Sequence, residues 1–147
     1  MIIDGNISFT GGINIADEYI NEKRKYGHWK DNAVMLKGEA TWSFTVMFLQ
    51  MWNAHRKEDT DFNKFRPTIK SNGNGYICPY AECPLDNEIV GENVYLNMIN
   101  QAKKHIYITT PYLIIDNDMV TALTLASKRG VDVKIITPGI PDKFLSR

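Results

Sequence analysis

The stretch IYITTPYLIIDNDMVTALTLASKRGVDVKIIT, residues 106–137, decides the fold of the second half of the chain. Residues 106–110 and 131–137 are rich in β-branched side chains and predict two strands. Between them, Asp116 or Asp118 can cap a helix. A strand, a helix and a strand in this order predict a βαβ unit with parallel strands. The second strand is of the apolar kind that occupies the buried centre of a sheet.

The segment before this unit predicts one more helix and a short strand. The helix covers residues 86–104, with Asp86 as its N-terminal cap, and the strand covers residues 76–79. The predicted inner face of the helix consists of Tyr95, Met98, Ile99 and Ala102. Alternating helices and strands are typical of an α/β fold with sheets flanked by helices.

The first half opens with two short strands, residues 2–3 and 7–10, around the turn signal DGN at residues 4–6. A short helical turn over residues 13–19 and a strand over residues 32–37 are predicted to follow. Because a first strand of two residues is unusually short, we expect the natural chain to begin earlier.

The clearest helix of the sequence covers residues 42–57. Its large apolar side chains recur at positions i, i+3, i+4, i+7 and i+8 and predict one buried face. These side chains are Phe44, Met47, Phe48, Met51 and Trp52.

A polar stretch separates the two halves. Residues 55–66 carry charges of both signs, and residues 67–75 combine proline with serine, asparagine and glycine. This composition predicts a solvated connector rather than a nucleic-acid patch. We therefore expect a first domain over residues 1–66, a linker over residues 67–75 and a second domain over residues 76–147.

Composition excludes several classes of protein. Of 147 residues, 44% are apolar and 23% are charged, as in ordinary globular chains. Lys plus Arg and Asp plus Glu both number 17, so the basic excess of a nucleic-acid binder is absent. No apolar run approaches the roughly 20 residues that span a bilayer, and no signal peptide is visible.

The sequence predicts no metal or cofactor. His28, His55 and His105 lack partners at metal-ligand spacing, and Cys78 and Cys83 lack the two further ligands that zinc requires. Two cysteines also make no disulfide framework. Glycine-rich nucleotide-binding motifs are absent from the sequence.

Potential chemistry concentrates around the first strands. Asp4 follows an apolar strand, and Gly11 and Gly12 can bring backbone N–H groups close to an anion. Asn14 adds an amide, and Asp31 adds a carboxylate beside a tryptophan. Such residues are also common in ordinary turns, so both interpretations remain open on this pattern alone.

Two sets of residues carry a resemblance to a known family. Residues 2–5 (IIDG), 9–15 (FTGGINI) and 17–19 (DEY) resemble the end of the first His-x-Lys-x4-Asp motif of the phospholipase D superfamily. Further segments, in the same order along the chain, are similar to bacterial cardiolipin synthases. They are residues 29–31 (WKD), 36–38 (LKG), 52–53 (WN), 110–113 (TPYL) and 127–133 (SKRGVDV).

The resemblance implies parts of two phospholipase D-type domains with mixed sheets. It implies phosphatidyl transfer between phosphatidylglycerol molecules through a phosphohistidine, at the cytoplasmic face of the cell membrane, without metal or cofactor. Covalent catalysis of this kind divides one difficult step into two easier ones. No nucleic-acid partner is expected.

The resemblance also implies roles for single residues. Asp4 matches the aspartate of the motif and is expected to support the catalytic site. Gly11 and Gly12 match the glycine pair of the phosphate pocket, and Asn14 matches an amide that binds phosphate. Asp31 matches the carboxylate that orients the nucleophilic histidine.

The match has one large departure. Only three residues precede Asp4, so the motif histidine and lysine would lie before Met1, and the second motif would lie beyond Arg147. We expect a fragment between the two motifs that is inactive by itself and self-associates. A non-catalytic remnant or binding module and a phospholipase D-type nuclease are the alternatives.

Overall fold

The computed structural model describes residues 1–25, 27–82 and 87–139. The chain divides into two units, Met1–Ala81 and Glu82–Arg147. Each unit combines a β-sheet with α-helices, which confirms the α/β prediction. The first sheet is antiparallel and the second is parallel.

The sheet of the first unit has the order β1-β2-β3. The strands are β1 (Ile2–Ile3), β2 (Ile7–Gly11) and β3 (Ala33–Lys37), close to their predicted positions. Both pairings are antiparallel. Gly11, at the end of β2, lies opposite Ala33, at the start of β3.

A tight turn joins β1 to β2. Asp4 and Gly5 both have positive φ, 52° and 67°, and the Asn6 N–H donates to the Ile3 carbonyl at 3.0 Å. Two positive φ angles define a type I′ turn, whose twist matches that of the flanking strands. The DGN signal therefore formed the hairpin that it predicted.

The end of the first unit differs from the prediction. The Asn6 side chain accepts hydrogen bonds from the Thr68 and Ile69 N–H groups, at 2.7 and 3.2 Å. The Ser71 N–H donates to Glu39 at 3.0 Å. Residues of the expected linker 67–75 are thus hydrogen-bonded to the first unit. The boundary between the two units lies after Ala81.

Helix α1 (Thr41–Arg56) buries a different face from the predicted one. Its buried residues are Thr41, Thr45 and Leu49, and the Thr41 hydroxyl lies 3.3 Å from that of Ser8 on β2. Met51 is 68% exposed and Phe48 is 49% exposed. Phe44 and Met47 are partly buried, but the rest of the predicted stripe was wrong, because the small threonines face the sheet in its place.

Two further segments of the first unit differ from the prediction. The helical turn expected over residues 13–19 is limited to a turn in which the Tyr19 N–H donates to the Ala16 carbonyl at 3.1 Å, and Ile15 is fully exposed. Residues 76–79 form no strand. Between α1 and this segment, a 3-10 helix covers Phe62–Phe65, and the Asp61 carboxylate caps it by accepting from the Asn63 N–H at 3.0 Å.

The second unit contains the predicted βαβ arrangement. Its elements are α2 (Val90–Gln101), β4 (His105–Thr109), α3 (Asn117–Lys128) and β5 (Asp132–Ile136). Strands β4 and β5 pair in parallel, with Ile106 opposite Val133. Asp116 caps α3 by accepting from the Met119 N–H at 2.8 Å, as one of the two predicted caps.

The core of the second unit lies between its helices and one face of its sheet. The buried side chains are Ile99, Ala122, Leu123, Ala126 and Val131. Ile106, Ile108 and Val133 pack against them.

Three expectations for this unit were wrong. Tyr95 and Met98 are exposed on α2, whose buried residue is Ile99. Strand β5 is mostly exposed, because within the described residues it pairs only with β4 and no helix covers its other face. Helix α2 begins at Val90 rather than near Asp86, which lies outside the described residues. Within residues 1–25, 27–82 and 87–139, no helix is long and apolar enough to cross a bilayer.

We expect Glu92→Gln to raise the thermal stability of the second unit near neutral pH. The charge of Asp116 is the main cause that raises the pKa of Glu92 above 4.5, with desolvation second. The folded state therefore binds a proton more readily than the unfolded chain, and wild-type stability rises as pH falls through the raised pKa towards 4.5. Thermal unfolding followed by circular dichroism should show a higher Tm for the variant at neutral pH. The difference should shrink in acid, and a lower Tm at neutral pH would contradict the prediction.

Candidate functional site

The glycine pair and Asp31 meet where β2 ends and β3 begins. A Cβ on Gly11 would lie 2.5 Å from the Asn32 carbonyl oxygen, and a Cβ on Gly12 would lie 3.1 Å from Asp31 Oδ1. Glycine at both positions therefore allows the first chain segment to pass directly against the second. We call this cluster of Gly11, Gly12 and Asp31 the Asp31 site.

Both oxygens of the Asp31 carboxylate accept hydrogen bonds from nearby donors. The Asn32 N–H donates to Oδ1 at 2.8 Å, and the Trp29 indole donates to Oδ2 at 3.3 Å. Asp31 is half-buried, so part of the residue remains in contact with solvent. Each carboxylate oxygen has two acceptor positions, so an oriented carboxylate such as this can still accept an imidazole N–H.

Trp29 is itself fixed by two residues that sequence reasoning missed. The Asn21 side chain donates to the Trp29 carbonyl at 2.8 Å and accepts from the Trp29 N–H at 2.6 Å. The Tyr19 ring meets the indole edge to face, with centroids 4.9 Å apart. Asn21 has φ 65°, which asparagine tolerates better than most residues. The sequence signal for this role is only an asparagine in a charged loop.

Of the other two predicted site residues, Asp4 lies apart from this arrangement, whereas Asn14 follows the glycine pair closely in the chain. Asp4 is exposed in the hairpin turn at the opposite end of β2 from Gly11. Five residues of strand separate these ends by about 13 Å, at roughly 3.3 Å per residue. Asn14 is exposed two residues beyond Gly12. The structure thus brings Asp31 to the glycine pair and leaves Asp4 distant. The functional roles of the five predicted site residues stay predictions.

A second polar cluster lies on the exposed face of the parallel sheet. The Tyr107 hydroxyl donates to Asp132 at 2.6 Å, and Lys134 Nζ donates to the same carboxylate oxygen at 2.7 Å. The hydrogen bond from Lys134, followed by that from Tyr107, lowers the pKa of Asp132. The hydrogen bond to Asp132 in turn raises the pKa of Lys134. These groups satisfy one another, so the cluster is an internally neutralised ion pair.

Among residues 1–25, 27–82 and 87–139, no group of three histidine, cysteine or acidic side chains could hold a metal ion. Cys78 is an exposed free thiol. Cys83 lies outside the described residues.

Comparison with known proteins gives one family and a consistent set of relatives. Residues 95–146 match the family described as cardiolipin synthase, PLD-like domain. An uncharacterized protein of Streptococcus mutans is 54% identical over 97% of this chain and 31% of its own length. Cardiolipin synthases of Alkalihalophilus pseudofirmus and Geobacillus kaustophilus are 36% and 35% identical over 97% of this chain and 29% of their own lengths.

The chain therefore spans less than a third of the length of these curated relatives. No solved structure matches it significantly.

Proposed function

We propose that the chain serves a phosphatidyltransferase that makes cardiolipin, because residues 95–146 match the family described as cardiolipin synthase, PLD-like domain, and named cardiolipin synthases are similar to nearly the whole chain. The substrate is phosphatidylglycerol at the cytoplasmic face of a membrane. Two phosphatidylglycerol molecules give one cardiolipin and one glycerol. The segment supplies supporting groups to this reaction, and the reactive histidines belong to parts of the enzyme outside it.

The reaction has two displacement steps at phosphorus. A histidine nitrogen attacks the phosphorus of the first phosphatidylglycerol, and the bond to the terminal glycerol breaks. A second histidine gives its proton to the glycerol oxygen that leaves. A hydroxyl group of the second phosphatidylglycerol then attacks the phosphohistidine, returns its proton to that second histidine and frees the first.

Asp31 is the group of this segment that the reaction needs most. A nucleophilic imidazole must keep one nitrogen free while the other is held as an N–H donor. The Asp31 carboxylate accepts that N–H and thereby selects the reactive tautomer. The observation that carries the proposal is the close packing of Gly12 against Asp31. A Cβ added to Gly12 would lie 3.1 Å from Asp31 Oδ1.

The remaining predicted residues bind the phosphate or support its surroundings. Gly11 and Gly12 offer backbone N–H groups to a phosphate oxygen, because the side-chain positions of both residues are taken by Asn32 and Asp31. Asn14 adds a side-chain amide N–H to the same pocket. Asp4 stabilises the hairpin that carries β2 and acts on the site only through the sheet.

The test is a transfer assay on the natural protein that contains this segment. The purified protein is incubated in detergent with phosphatidylglycerol as the sole phospholipid, and we expect cardiolipin and glycerol in equal amounts. If the product were phosphatidic acid without cardiolipin, the protein would be a hydrolase and not a transferase. Cleavage of DNA without lipid turnover would favour the nuclease alternative.

The 147-residue chain by itself should give no product in the same assay. None of its three histidines stands in a His-x-Lys-x4-Asp pattern. Cardiolipin above the level of a protein-free blank would contradict this part of the proposal.

A further inference from the structure

We propose that Trp29 is a positioning residue for Asp31 and that Asn21 holds Trp29 in place for this purpose. The inference rests on the proposed function, because it gives the Asp31 carboxylate a defined orientation towards a histidine.

Two donors on different oxygens fix the plane of the Asp31 carboxylate. The Asn32 N–H binds Oδ1, but one hydrogen bond leaves the carboxylate free to rotate about its terminal torsion, which is broad for aspartate. The Trp29 indole binds Oδ2 and removes that freedom. A carboxylate that directs an imidazole must itself be held, because misplacement by about 1 Å can cost a hundredfold in rate.

The indole can act in this way only because its own residue is fixed at the backbone. Asn21 uses both ends of its amide on the N–H and carbonyl of Trp29, which fixes the backbone of that residue. The Tyr19 ring then limits how the indole turns. The sequence of contacts runs from Asn21 through Trp29 to Asp31, and none of these contacts needs a ligand to form.

The experiment compares Trp29→Phe with a matched control in the natural protein that contains this segment. Phenylalanine keeps the aromatic packing against Tyr19 and removes the indole donor. Trp52→Phe is the control, because the Trp52 indole also donates to an exposed carboxylate, that of Glu58, at 3.2 Å. We expect Trp29→Phe to lower kcat about tenfold with little change in KM, as for a lost hydrogen bond to a charged group. Trp52→Phe should stay near wild type.

A double variant separates positioning from general structural damage. If Trp29 acts through Asp31, Trp29→Phe should cost nothing more in a protein that already carries Asp31→Asn. Asn21→Gly keeps the positive φ and removes both hydrogen bonds, so it should lower kcat in the same direction as Trp29→Phe.

Each outcome separates this inference from the proposed function. Loss in Asp31→Asn with no loss in Trp29→Phe would overturn the positioning role and leave the role of Asp31 intact. A full further loss in the double variant would also overturn it, because Trp29 would then act independently. Normal activity of Asp31→Asn would overturn the function proposed for the site itself.

Discussion

Asp31→Asn, in the natural protein that contains this segment, is expected to lower the rate of cardiolipin formation by roughly 10²–10⁴, the cost of mis-setting a catalytic tautomer in comparable enzymes. The asparagine amide is nearly the same size as the carboxylate, so the packing against Gly12 should survive. Its NH2 group, however, donates where an acceptor is needed and favours the wrong imidazole tautomer. Steady-state production of cardiolipin from phosphatidylglycerol measures the loss.

The control for this prediction is Asp17→Asn. Asp17 is an exposed carboxylate of the same unit that pairs with Lys23 at 2.5 Å and is not part of the Asp31 site. Its variant should keep nearly full activity, since surface ion pairs contribute little to stability. If Asp31→Asn stayed within about threefold of wild type while remaining folded, Asp31 would have no part in the mechanism.

Gly5→Ala is expected to destabilise the first unit by about 2–5 kcal/mol. Gly5 has φ 67°, and a Cβ there would clash with the Phe65 carbonyl oxygen. The substitution therefore adds the cost of a left-handed backbone to that of moving the 3-10 helix away from the hairpin. A loss of this size is a large part of the total stability of a small domain, which is about 5–15 kcal/mol.

Gly27→Ala isolates the backbone contribution in the same unit. Gly27 also has a positive φ, 86°, but no atom of the described residues lies within 4 Å of an added Cβ. We expect it to cost about 1–2 kcal/mol. Urea unfolding followed by tryptophan fluorescence reports on this unit, because Trp29, Trp42 and Trp52 all belong to it. Equal losses for the two variants would show that the contact with Phe65 does not hold the hairpin.

Local signals in the sequence were sufficient for most of the secondary structure. The turn at residues 4–6, the Asp116 cap and the strand pair of the βαβ unit all depend on neighbouring residues, whose backbone preferences act over one turn or one strand. Gly130, with φ 89°, ends the α3 region where a glycine is expected. Such preferences need no knowledge of the rest of the chain.

The buried faces could not be predicted in the same way. The apolar period of α1 is real, but which side of the helix meets the sheet depends on how closely the helix can approach it. Thr41 of α1 and Ser8 of β2 are small and hydrogen-bonded to each other. The helix therefore contacts the sheet through a polar face. A hydrophobicity pattern predicts that Phe48 is more buried than Thr41, and it therefore selects the wrong side of α1 as the buried face.

The sequence by itself determined the α/β class, the order of the elements and the resemblance to cardiolipin synthases. The tertiary structure decided what lies beside Asp31. Gly12 and Asp31 are distant in sequence, and they meet because β2 and β3 pair antiparallel with Gly11 opposite Ala33. The same pairing places Asp4 at the other end of β2. Strand register is a non-local property, so only the folded sheet shows which of the five predicted residues lie close together.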